Sequence, residues 1–169
     1  GFNTSTGRIE LWSYAFQRFG DDPLPYYIEP QYSPVETPEL LDEYPFVLTT
    51  GARTYAFFHS ENRQIPYCRE LNPDPLLEIN PVAAKAHHIS DGQWVRVRNQ
   101  FGSCLLKAKV TPIVKENVVH AQHGWWFPEQ DGNAPHLYGT FQSNINNLVP
   151  NFHFGKLGFG APFKCLLCA

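Results

Sequence analysis

No methionine occurs in these 169 residues, and charge is scarce: Asp, Glu, Lys and Arg make up 17% of the chain, against roughly 25% in ordinary soluble domains. The formal net charge is −3, so the basic footprint that nucleic-acid binding needs is missing and neither DNA nor RNA is expected as a partner. No apolar run approaches the ~18 residues of a membrane span, and no basic-then-apolar leader opens the chain. The absence of methionine and the glycine at position 1 suggest a piece of a longer protein. Cysteine is also sparse. Cys68, Cys104, Cys165 and Cys168 are too few to staple a domain of this length, and reduced structural thiols are expected.

What is abundant is aromatic and apolar surface. Aromatics reach 15% and hydrophobic residues 43%, enough for one domain with a substantial core and a surface partly covered by another body. Proline is concentrated early: "DDPLPYYIEPQYSPVETPEL" carries Pro23, Pro25, Pro30, Pro34 and Pro38. Proline fixes φ and removes a donor, so residues 1–43 read as an extended inter-domain arm, with a short strand at Ile9 to Ser13. Residues 44–169 read as a compact strand-rich domain.

In that domain "FVLTTG", Phe46 to Gly51, and "LLEIN", Leu76 to Asn80, are buried-strand runs. Asn80 can cap a helix and Pro81 suits its first position, giving about two turns from Val82 to His87. After the Asp91-Gly92 turn, Val95 and Val97 alternate with Trp94, Arg96 and Arg98. Gln100 to Ser103 forms a hairpin turn, and Cys104, Leu106, Ala108 and Val110 then alternate with Leu105, Lys107 and Lys109. Further strands are expected at Val118 to Gln122 and Lys164 to Cys168. Short strands, small helices and dense turns point to a mainly β fold, a β-barrel.

"YPFVLTTGART…FFHSENRQIP", "DPLLEINPVAAKAHHISDGQWVRVRNQFGSCLLKAKVTP", "NVVHAQHGWWFPE" and "SNINNLVPN…GFGAPFKCLLC" follow one another in an order that resembles the C-terminal cofactor-binding domain of molybdopterin-dependent oxidoreductases of the dimethyl sulfoxide reductase family. The likeness runs from Tyr44 to Cys168. "HSENRQIP" and "HGWWFPE" look most like its acetylene hydratase-like branch. The resemblance implies a double-psi β-barrel contacting a bis-molybdopterin guanine dinucleotide with molybdenum or tungsten. It implies that the remaining domains of a parent chain are the partners and that catalysis lies in them, this piece alone being inactive. It leaves room for an iron–sulfur cluster in an N-terminal domain and for an iron–sulfur electron-transfer subunit.

Such a cofactor needs close backbone approach, planar donors for phosphate and pterin oxygens, and amides matched to ring edges. Thr50 and Gly51 end a strand where a missing Cβ lets N–H groups face a ligand, and Arg53 offers a bidentate fork. His59 and Ser60 match the family's histidine-plus-hydroxyl position. Because Ala52 intervenes between Gly51 and Arg53, Arg63 with Gln64 competes for the arginine's role. Asn146 and Lys164 match the family's late asparagine and lysine, an amide for a ring edge and a point charge for phosphate. Where the family places a glycine, His88 stands; histidine tolerates a left-handed cap better than most side chains.

The densest stretch is "HAQHGWWFPE", His120 to Glu129. Gly124 lets the chain bend before Trp125 and Trp126 diverge, one ring packing the barrel and the other lining the cofactor funnel; His123 and Trp125 are assigned to the cofactor. Two rivals compete. A zinc module would use His120 and His123 with Cys165 and Cys168, but i and i+3 in strands point to opposite faces. A stand-alone ligand-binding barrel would use the tryptophans without converging basic and amide groups.

Overall fold

The computed structural model describes residues 1–51, 54–151 and 166–169. Six strands form one sheet: β1 (Phe46–Thr49), β2 (Leu76–Ile79), β3 (Trp94–Asn99), β4 (Gly102–Val110), β5 (Val118–Ala121) and β6 (Leu166–Cys168). Their spatial order is β3-β4-β2-β5-β1-β6. Pairing is mixed. β1 runs parallel to β5, and β2 runs parallel to β4; β2–β5, β3–β4 and β1–β6 are antiparallel.

The two ends of that order also meet, because the Arg98 and Ala169 backbones donate to one another's carbonyls at 2.8 and 2.9 Å. The sheet therefore curls, and its concave side holds the core. Alternation decides which side chains enter it. In β4, Cys104, Leu106 and Ala108 are buried, while Leu105, Lys107 and Lys109 face outward. In β3, Val97 is buried and Trp94, Arg96 and Arg98 are exposed. Leu48, Leu77, Ile79, Val119, Ala121, Leu166 and Cys168 complete the same cluster with Ile145 and Leu148. The fold is mostly sheet with a few small helices.

The helix α3 (Pro81–Ala86) starts as its sequence dictates: Asn80 accepts from the Val82 N–H, and Pro81 occupies the first turn. Just past its end His88 adopts φ +56°, the left-handed turn expected where histidine replaces glycine. A second short helix, α2 (Pro66–Leu71), opens with Pro66 in the same way.

One expected strand is absent from the structure. Ile9 to Ser13 pairs with no strand among the described residues, and Ile9 and Leu11 are 68% and 78% exposed. Its local polar groups select turns instead. Thr6 donates through N–H and hydroxyl to Glu10, and Ser13 accepts from the Phe16 N–H to cap a helix, α1 (Tyr14–Arg18). A two-residue apolar alternation cannot hold a strand without a ladder partner, whereas a serine cap satisfies a helix end locally. Buried apolar residues begin only at Tyr44.

Candidate functional site

Three stretches of the chain meet where β1 and β5 end side by side. β1 delivers Thr50 and Gly51. The loop after it carries Phe57, His59, Ser60 and Arg63. β5 runs out into Gln122, His123, Gly124 and the two tryptophans. Parallel pairing of Leu48 with Val119 and Thr49 with His120 brings the first and third stretches out of the sheet at the same end.

The histidines form the link. His123 Nδ1 lies 2.9 Å from the Thr50 carbonyl oxygen, and His123 Nε2 lies 2.8 Å from His59 Nδ1. The loop is locked against the third stretch in two further ways. Trp126 Nε1 donates to the Ser60 carbonyl at 2.6 Å. Gly124, at φ +67°, lies so close to Ser60 that an added Cβ would stand 3.2 to 3.3 Å from it, so this position needs both the left-handed backbone and the missing side chain. His59 itself sits at φ +52°, a region that costs a non-glycine residue energy unless its surroundings enforce it.

Behind the histidines lies an aromatic box around one cation. The Arg63 guanidinium is 4.3 Å from the Phe57 ring centre and 4.6 Å from that of Trp125, and its Nη2 donates to the His123 carbonyl at 3.2 Å. The side chain is 1% exposed, yet Nε and Nη1 have no acceptor among the described residues. Burial, with the neighbouring Arg69 charge adding to it, brings the Arg63 pKa down to about 10, so it remains a cation at neutral pH. Stacking on two rings offsets part of its desolvation. Arg69 also approaches Trp125, at 5.2 Å from its ring centre, and pairs with Glu129 at 3.0 Å.

Thr50, Gly51, His59, Ser60, Arg63 and His123 are thus brought together. Of the two tryptophans, Trp125 is the packed ring, 0% exposed between Phe57 and Phe127. Trp126 is the partly exposed one, edge-on to Tyr138. Its full burial makes Trp125 a support for Arg63. Gln64 is exposed beside the cluster. Asn146 is held through different contacts, in a 3-10 turn (Ile145–Leu148) where its backbone N–H donates to Asn144 Oδ1. Arg53 and Lys164 lie outside the described residues.

Phe57 and Arg69 are members that sequence reasoning missed. Pro66 at the start of α2 is the signal that could have found Arg69, since it sets the helix that carries this residue back toward Trp125. Of the rival zinc ligands, His120 Nδ1 turns to the Thr49 hydroxyl at 2.9 Å, His123 turns to His59, Cys168 is in the core, and Cys165 lies outside the described residues.

This set suits a flat, anionic, amide-edged group. It offers an imidazole at the surface, a buried guanidinium whose Nε and Nη1 are unpaired among the described residues, and a strand end at Gly51 open to backbone approach. Residues 46–165 match the family described as "Molydopterin dinucleotide binding domain", and the chain belongs to that family. It is 38% identical over 156 residues to the dopamine dehydroxylase of Eggerthella lenta, covering 90% of this chain and 15% of that protein. It is 36% identical to the acetylene hydratase of Syntrophotalea acetylenica over 132 residues, 78% of this chain and 18% of that one. The solved acetylene hydratase from Pelobacter acetylenicus superimposes with a TM-score of 0.85 at 29% identity, across 98% of this chain and 23% of that chain. The chain therefore spans less than a quarter of the length of these relatives.

Proposed function

We propose that this chain is the C-terminal cofactor-binding domain of a larger molybdenum or tungsten enzyme, a double-psi β-barrel that holds a bis-molybdopterin guanine dinucleotide and closes the active-site funnel over it. The observation that carries the reading is the meeting of Thr50, His59, Arg63 and His123 from three stretches, all inside the family-matched residues. The mixed sheet whose edge strands meet through Arg98 and Ala169 supports the barrel.

The bound group supplies the metal and its electron chemistry, and the domain supplies position and electrostatics. Arg63 contributes positive charge from within an apolar box, where it is screened little, and so favours an anionic group beside it. Gly51 allows a ligand edge to approach the backbone, and His59 offers a ring nitrogen at the surface. Two relatives with this domain carry the names dehydroxylase and hydratase. We therefore place the choice of substrate and reaction in the remaining domains of the parent chain, which are this domain's partners.

The test is metal content. In the full-length parent, Arg63→Met should lower molybdenum or tungsten per polypeptide several-fold, while the cofactor-free variant melts no lower than the cofactor-free unaltered protein. Unchanged metal content in that variant would remove Arg63 from the cofactor site.

A further inference from the structure

Leu137, Tyr138 and Gly139 follow one another at φ +43°, +56° and +68°, and the first two carry side chains that the left-handed region disfavours. Tyr138 is pinned there on both sides: its N–H donates to the Asp131 carbonyl at 2.8 Å, and its carbonyl accepts from the Phe127 N–H at 2.8 Å. Its ring lies over Gly132, where an added Cβ would overlap the ring atoms. Glycine or asparagine at 138 would make the same turn with less strain. The tyrosine ring therefore does something that the turn does not require.

That ring meets Trp126. The two stand edge-on, 67° apart with centres at 5.4 Å, a geometry that aromatic quadrupoles favour. Trp126 is half-buried, and the one polar atom of its side chain, Nε1, can donate but not accept. It donates to the Ser60 carbonyl at 2.6 Å. Ser60 is also packed against Gly124, and it follows His59, whose own backbone is left-handed. A path of contacts thus runs from Gly132 through Tyr138 and Trp126 to the loop that carries His59 and Ser60.

We infer that Tyr138 is a positioning residue. Held in its left-handed turn, the ring fixes the Trp126 indole where it donates to Ser60, and so sets the loop on which His59 is presented. Without that ring beside it, a half-buried indole gains rotamer freedom, and ordering the indole and its loop again on binding costs affinity. The consequence for binding rests on the cofactor-binding reading; the hold on the loop does not.

Two measurements separate the halves. Tyr138→Asn keeps a residue that tolerates the left-handed turn and removes the ring; Tyr138→Phe keeps the ring and removes only the hydroxyl. In the cofactor-free full-length parent, amide hydrogen exchange followed by mass spectrometry should run about twofold to tenfold faster across residues 58–65 in Tyr138→Asn, one neutral hydrogen bond's worth. Exchange in β3 and β4 should be unchanged, and Tyr138→Phe should match the unaltered protein. Trp126→Phe, which loses the indole N–H, should loosen residues 58–65 by itself, and adding Tyr138→Asn to it should bring no further change. Unaltered exchange at 58–65 in Tyr138→Asn, equal loosening in Tyr138→Phe, or additive effects in the double variant would each overturn the positioning role. Faster exchange throughout the sheet would do the same, since that is what a general loss of stability gives. In the cofactor-loaded parent, metal per polypeptide should fall about twofold to tenfold in Tyr138→Asn and in Trp126→Phe and should hold in Tyr138→Phe. A loosened loop with unchanged metal content would overturn the binding consequence alone, while Arg63→Met tests the cofactor reading separately.

Discussion

Arg98 and Ala169 exchange backbone hydrogen bonds at 2.8 and 2.9 Å, joining the two strands that end the order of the sheet. The last residues are thus part of the core scaffold. Leu166, at 0% exposure, fills it from β6. Leu166→Ala should lower unfolding free energy by about 2–5 kcal/mol in a denaturant titration. Deleting residues 166–169 should abolish cooperative unfolding, since both the β1 edge and the β3 edge lose their partner.

Val97 faces the same core and is 3% exposed. Val97→Asp would bury a carboxylate with no cation on that face among the described residues, and a several-kcal/mol penalty should leave the protein insoluble or unfolded. Normal melting of the purified variant would reverse the assignment of β3's faces.

Most of the sheet was legible because its strands alternate and its breaks are marked. Asn80-Pro81 announces α3, and the alternation through Val95, Val97, Cys104, Leu106 and Ala108 separates inside from outside with no tertiary information. The false strand at Ile9 to Ser13 had the right residue types but lacked a ladder partner, which no local pattern reveals. The site was half legible. Thr50, His59, Arg63 and His123 could be named from motif order, but a motif cannot say which of two adjacent tryptophans turns inward. That choice is made by Phe57 and Phe127, which box Trp125 from elsewhere in the chain. The exact pairing of His59 with His123 depends on two loops arriving at 2.8 Å, a distance that only the assembled fold sets.

The thiols give a chemical check on burial. Desolvation pushes the pKa of both Cys104 and Cys168 up to about 12, so neither supplies thiolate at neutral pH. Alkylation of the native protein followed by mass spectrometry should leave both unlabelled and modify the part-buried Cys68 first. Labelling of Cys104 before unfolding would contradict the packing of β4.

Arg63 is held by aromatic stacking with no carboxylate partner among the described residues, which separates its role in binding from its role in stability. A methionine of similar length can fill the space between Phe57 and Trp125 without a charge to desolvate. Replacing buried ionic groups with well-packed apolar ones is often neutral or stabilising. In protein without cofactor, Arg63→Met should therefore melt at or above the parent temperature. Arg63→Ala, which leaves a cavity against two rings, should cost about 2–4 kcal/mol. Equal losses in both variants would mean that the guanidinium itself holds the fold.

His120 supplies a prediction in pH. Its Nδ1 lies 2.9 Å from the Thr49 hydroxyl and its register partner across the sheet is Glu78. Burial lowers its pKa below 6.5; Glu78 opposes that shift and the charge of His123 adds to it. The folded state thus binds this proton less readily than the unfolded chain. The stabilising contribution is fully present above the unfolded value near 6.5, and it is lost as pH falls from there through the folded value. Each proton taken up preferentially by the unfolded chain tilts stability by at most about 1.4 kcal/mol per pH unit. His120→Gln cannot titrate in this range, and the remaining histidines are common to both proteins. The stability difference between the unaltered protein and His120→Gln, measured by denaturant titration at a series of pH values, should be constant above about 6.5 and should shift steadily in favour of the variant below it. A difference independent of pH would show that His120 does not carry the acid sensitivity of this sheet.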